Sequence, residues 1–207
     1  CSSDLSMALA FTKEQEKEIV SRLKKAAREG IAKAGMRKTT VDTLVQAAGI
    51  SKGAFYKFYT SKELLFFELL EDLHTEVYTI AAGVLVENAA LPPVERTAKA
   101  VLASCRIMGE SKLLAFAALE VTDLLRSIPH EVLEEHYHSD EVHIRALLEE
   151  AGLKPEGGME LAAATVRGLM LTLSLQPEIV SLYPQVLETL VYGSCARLFP
   201  CPDRKSV

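Results

Sequence analysis

With 207 residues, 49% of them hydrophobic, the chain can bury the core of one large domain or two modest ones. No apolar run is as long as a membrane span, since the best candidate (residues 161–175) is too short and holds Arg167, so no membrane partner is expected. The net charge of −5 argues on its face against nucleic acid, and the cysteines (Cys1, Cys105, Cys195 and Cys201) form no CxxC pair, which points to reduced thiols in a cytoplasm.

Apolar residues recur at 3.6-residue spacing between Pro, Gly and Ser/Thr punctuation, and no alternating strand is legible, so the fold class is all-α with about nine helices. The first helix is predicted over Lys13–Ala34, with Ile19, Leu23, Ala27 and Ile31 on one face and Gly35 as its stop. The second follows Thr39 and Thr40, either of which can cap it, and turns Val41, Leu44, Val45 and Ala48 inward. The third is capped by Ser51 and covers Lys52–Phe58. The fourth starts after Thr60 and Ser61. Its stripe of Leu65, Leu69, Leu73, Val77, Ile80 and Val84 runs far past the first three helices, so it joins two parts of the molecule. Beyond Pro92 and Pro93, helices are predicted over residues 94–108, 111–126, 129–152, 156–175 and 185–199. This gives a three-helix N-terminal domain over residues 11–60 and a larger helical domain over residues 61–200. The chain does not open with the basic-then-apolar order of a signal peptide, and residues 1–6, ahead of Met7, carry no argument.

The mean charge hides a division. Residues 11–62 hold 12 Lys and Arg against 5 Asp and Glu, whereas residues 63–207 hold 11 against 22. A basic head on an acidic body is expected when one module meets phosphate and the other stays off it. Within the head, a short apolar-periodic helix, a turn at Gly49-Ile50-Ser51 and a second short helix rich in Lys and Tyr have the form of a helix-turn-helix. Thr39, Thr40 and Ser51 lie at helix N-termini, where hydroxyl and free N–H groups can hold a phosphate of double-stranded DNA. Gly53 and Ala54 let the third helix approach the groove closely. Lys52 and Lys57 can reach base edges or phosphates, and Tyr56 offers a hydroxyl one turn after Lys52. Lys62 is placed for the flanking backbone. Phe55, Phe58 and Tyr59 are expected to anchor the helix from inside, and Lys13, Lys17, Lys24 and Lys25 to form a solvated face.

The run TTVDTLVQAAGISKGAFYKFYTSKELL, from Thr39 to Leu65, resembles the N-terminal signature of the TetR family of bacterial transcriptional repressors. The matching positions are Thr40, Ala48-Gly49-Ile50-Ser51, Gly53, Tyr56, Phe58-Tyr59, Lys62 and Leu65. Phe58 stands where His or Tyr is common, Tyr59 where Phe is usual, and Leu44-Val45 replaces the common Ile-Ala. These changes keep the core apolar and leave Tyr56 and Lys62, the family's usual phosphate contacts, in place. The resemblance implies a cytoplasmic homodimer on a palindromic operator, released when a small-molecule effector enters the C-terminal domain and shifts the fourth helix. Repression is the family default, and activators exist.

Family resemblance carries no ligand residues into the second domain, so candidates follow from chemistry, as polar or soft groups on apolar helices: Met108, Phe116, Glu120, Asp123, Tyr137 and Met170. The last two helices are apolar on more than one side, which predicts a dimer through an intermolecular four-helix bundle. Its interface is expected at Leu161, Thr165, Gly168, Leu171, Leu175, Leu187, Leu190, Val191, Ser194 and Leu198. In the segment from His130 to His143, Glu135 and His138 at i, i+3 and His136 and Asp140 at i, i+4 have the spacing of metal pairs. Because His136 and His138 face different ways and no second ligand-rich helix is apparent, no metal or other cofactor is expected there. No Ser/His/Asp set or Gly-rich phosphate loop supports an enzyme. The alternative function is a DNA-binding dimer without an effector, which a ligand-shaped cavity would count against.

Overall fold

In the computed structural model, which describes residues 11–111, 117–175 and 180–200, every regular element is helical. The described residues contain nine α-helices: α1 Lys13–Ala34, α2 Val41–Ala48, α3 Lys52–Phe58, α4 Lys62–Glu87, α5 Pro93–Glu110, α6 Ala117–Ser127, α7 His130–Glu150, α8 Gly158–Leu171 and α9 Tyr183–Leu198. Short 3₁₀ turns over Thr172–Leu175 and Val180–Leu182 precede α9. The chain divides into two compact units between Phe66 and Phe67, inside α4.

In the first unit, α2 packs on both α1 and α3. Ile19, Leu23, Ala27 and Ile31, one turn apart on α1, are buried together with Leu44, Val45 and Ala48 of α2. Each Leu, Ile or Phe so enclosed contributes about 1.5–3 kcal/mol. The seven-residue α3 is too short to persist alone. Its one buried residue is Phe55, with Tyr59 buried just beyond its end, while Phe58 is half-buried and meets the Phe11 ring at 6.0 Å.

In the second unit, α5 packs against α9 and α7 against α8. One apolar cluster gathers Leu85, Ile144, Leu148, Ala162, Leu198 and Phe199, and another gathers Val101, Cys105, Leu169, Tyr183, Leu187 and Val191. The buried stripe of α4 continues from Leu73 and Val77 to Ala81 and Leu85, and Ile80 and Val84 are only half-buried. Steps of four from Val77 therefore track the core better than the alternation of three and four read from the sequence.

Candidate functional site

The helix-turn-helix is fixed by local hydrogen bonds. Thr40 Oγ1 accepts from the Thr43 amide at 3.2 Å, and Thr43 Oγ1 accepts in return from the Thr40 amide at 3.1 Å, a reciprocal capping box. Gly49 ends α2 in the left-handed region at φ 66°, where a side chain would be strained. Ser51 Oγ then accepts from the Ala54 amide at 3.1 Å and starts α3. This geometry leaves Thr40, Ser51, Lys52, Gly53, Tyr56 and Lys57 exposed, with Ala54 half-buried. Lys52 Nζ donates to both carboxylate oxygens of Asp42, at 3.0 and 3.3 Å, and that contact raises its pKa. Lys57 Nζ lies 5.4 Å from the centre of the Phe11 ring.

Two of the sequence candidates have interior roles. Thr39 is buried, its hydroxyl donates to the Gly35 carbonyl at 2.8 Å, and its methyl group lies where a Cβ on Gly30 would come within 2.8 Å. Lys62 is half-buried and sends its ammonium to the carbonyls of Thr39 at 2.9 Å, Met36 at 3.1 Å and Arg37 at 3.4 Å. An ammonium has three protons, so this lysine clamps the loop between α1 and α2. The sequence signal for Thr39 and Lys62 was their place in the motif, and it did not reveal which way they face.

The second unit contains a cavity of about 1040 Å³, at the upper end of the range typical for small-molecule sites. Its wall is mostly apolar, drawn from α4 (Phe67, Leu70, Val77), α5 (Val101, Met108), α6 (Val121, Leu125), α7 (Ile144, Leu148) and α8 (Val166, Met170). Met108, Tyr137 and Met170 of the sequence candidates line it, whereas Glu120 and Asp123 do not, and Phe116 lies outside the described residues. Apart from Tyr137, the polar part of the wall was not among the ligand candidates read from the sequence. It comprises His74, Tyr78, Thr97, Ser104, His136, Asp140 and Arg167. The Thr97 hydroxyl is buried and has no hydrogen-bond partner among the described residues. Arg167 stacks over the Tyr137 ring at 4.7 Å.

Asp140 is the hub of this polar wall. His74 Nδ1 lies 3.2 Å from its Oδ1, the Tyr78 hydroxyl donates to the same oxygen, and His136 Nε2 lies 3.5 Å from its Oδ2. Burial opposes its ionisation, but the hydrogen bonds and charge of His74, with those of Tyr78 and His136, hold its carboxyl below the usual range. Burial lowers the pKa of His136 despite the neighbouring carboxylate. Burial, together with the bond to Asp140, raises that of Tyr78. His74, His136 and Asp140 bring their donor atoms within 4.8 Å of one another. The pair at i, i+4 on α7 thus meets a third donor, His74 on α4, and the spacing of residues within either helix could not reveal that meeting.

Of the predicted dimer-interface residues, Leu161, Gly168, Leu171 and Leu190 are exposed and Thr165 and Ser194 half-buried. Leu187, Val191 and Leu198 are buried within the chain's own clusters. Nothing is described of the Leu175 side chain. Cys105 and Cys195 are buried, and burial pushes both thiols up to about 11, far from the range of a reactive thiolate. Among the described residues, no helix is long and apolar enough to cross a membrane.

Residues 23–69 match the family described as "Bacterial regulatory proteins, tetR family". The uncharacterized HTH-type transcriptional regulator YdgC of Bacillus subtilis (strain 168) is 36% identical over 67 residues, 32% of this chain and 34% of that protein. The chain therefore spans about a third of that relative's length. The whole fold is similar to that of FadR from Thermus thermophilus, a TetR-family repressor solved with lauroyl-CoA, at 18% identity and a TM-score of 0.63 over 88% of this chain and 98% of that one. It is also similar to FadR from Bacillus subtilis, solved with stearoyl-CoA, at 20% identity and a TM-score of 0.53 over 84% of this chain and 98% of that one. Residues 23–69 therefore match the DNA-binding helix-turn-helix of the tetR family, in a chain whose fold is similar to that of regulators of this kind.

Proposed function

We propose that the chain is a homodimeric repressor that holds a palindromic operator and leaves it when a small, largely apolar molecule fills the cavity of the second unit. In this reading, residues 11–60 are the DNA-binding domain and residues 61–200 the ligand-binding and dimerisation domain. The observation that carries the DNA role is the Ser51-capped α3, which presents Lys52, Tyr56 and Lys57 to solvent from one short helix. Its exposed cations and the capped N-termini of α2 and α3 suit phosphate and base edges of the major groove. Thr39 and Lys62 contribute by holding the loop ahead of α2.

The ligand role rests on the cavity. A predominantly apolar wall fits the body of an elongated ligand, and the unpartnered Thr97 hydroxyl supplies a hydrogen-bonding point. The acyl-CoA complexes of the two FadR proteins make a long acyl chain the first compound class to test. A ligand acts on DNA binding only through different affinities for the two states. Helix α4 gives it a route, because this one helix starts in the head and lines the cavity.

The test is binding of the full chain to the DNA upstream of its own gene, over a range of salt, with and without acyl-CoA thioesters. Tight binding that weakens steeply with salt and is released by ligand is expected. A flat salt dependence would contradict phosphate contact by the basic head. Operator affinity unmoved by any compound shown to occupy the cavity would overturn the effector role.

A further inference from the structure

We propose that His74, His136 and Asp140 form a binding site for a divalent transition-metal ion in the cavity wall of the second unit. Two imidazoles and one carboxylate suit zinc or ferrous iron, whereas magnesium and calcium prefer all-oxygen sets. The donor atoms converge from two helices, His74 on α4 and the i, i+4 pair on α7. Around an ion with bonds of about 2.0–2.2 Å, tetrahedral ligands lie about 3.4 Å apart. Contacts of nearly this length are already present, 3.2 Å from His74 Nδ1 to Asp140 Oδ1 and 3.5 Å from His136 Nε2 to the other carboxylate oxygen, Oδ2. All three donors lie within 4.8 Å of one another, so small side-chain rotations close the set.

The surroundings match those of a metal site as well. A metal-bound histidine turns its other ring nitrogen toward a carboxylate or carbonyl, and a ligating carboxylate is itself hydrogen-bonded. Here His136 Nδ1 faces Glu71 Oε1 at 3.8 Å, and the Tyr78 hydroxyl donates to Asp140. The two imidazole rings lie 4.9 Å apart at an interplanar angle of 31°, both directed at the carboxylate between them. Three protein ligands leave at least one coordination position open, and because all three residues line the cavity, a water or an anionic group of a cavity ligand can take it. The inference goes beyond operator binding and does not depend on it.

The full chain, stripped with a chelator, is titrated with cobalt(II) alone and followed by visible absorption, with zinc then added as competitor. The expected result is one ion per chain, a spectrum of nitrogen and oxygen ligation, and displacement of cobalt by zinc. His74→Ala and His136→Ala should each abolish the spectrum, whereas His138→Ala, at an exposed position of α7, should keep it. Glu71→Gln should weaken the ion by about tenfold or more without removing it. If a ligand variant does not fold, the wild-type thermal midpoint is read instead, and it should rise with micromolar zinc in both the wild type and His138→Ala. Absence of cobalt binding by the wild type, or a spectrum retained in folded His74→Ala, overturns the site. DNA binding is measured separately, so failure of one reading does not imply failure of the other.

Discussion

Lys52 and Lys62 carry the same charge and stand ten residues apart in the same motif, yet their surroundings separate their roles. Lys52 is exposed and held by one carboxylate on α2, whereas Lys62 is half-buried and spends its protons on three loop carbonyls. Charge-assisted hydrogen bonds of the second kind are worth about 1.5–3 kcal/mol. Lys62→Met should therefore lower stability by about 2 kcal/mol in urea denaturation. Lys52→Ala should leave the urea midpoint in place and weaken operator binding by about tenfold to a hundredfold, with relaxed preference at one base position. An unmoved midpoint in Lys62→Met would remove the clamp. The motif alone made the two lysines equivalent, because sequence shows where a cation sits along a helix and not which carbonyls a preceding loop turns toward it.

Among the elements, α1 and the loop after it show a constraint that helix propensity would misjudge. Gly30 lies inside α1, where Ala is normally better by about 1 kcal/mol. A Cβ there would come 2.8 Å from the Thr39 methyl and 3.0 Å from its hydroxyl oxygen, on a stiff β-branched side chain that is itself buried. Overpacking of this kind costs about 1–3 kcal/mol, which exceeds the propensity gain. Gly30→Ala should thus lower the thermal midpoint, and a rise would mean that Thr39 yields freely. The caps of α2 and α3 were readable beforehand, since a Thr or Ser hydroxyl reaches an amide three residues on whatever the tertiary setting. The inner face of α4 was readable only in part. Ile80 and Val84 continue one regular pattern, Ala81 and Leu85 another, and the neighbouring helices decided between them.

For the whole molecule, the open question is what covers the apolar side chains that one chain leaves exposed. Leu161, Leu171 and Leu190 are 50%, 72% and 42% exposed, on α8 and α9. If this face joins two copies, sedimentation will show a dimer at micromolar concentration, and Leu171→Glu combined with Leu190→Glu will shift it to monomer with helix content unchanged. A wild-type monomer under those conditions would leave the operator reader without its symmetry partner. Apolar breadth in the sequence marked both helices but could not divide their residues between the two tasks. Leu187, Val191 and Leu198 went to the chain's own core, and Leu190 to the surface.

By itself the sequence determined the helical class, the basic head and the capped helix-turn-helix, because these rest on periodicity, local hydrogen bonds and charge within a few turns of chain. Only the tertiary structure decided what those elements enclose. It buried Thr39, gave Lys62 its carbonyls, opened a cavity among five helices, and brought His74 to a histidine and an aspartate more than sixty residues away. Such meetings depend on which faces of distant helices pack together, and a side chain's neighbours across that distance leave no mark in its own stretch of sequence.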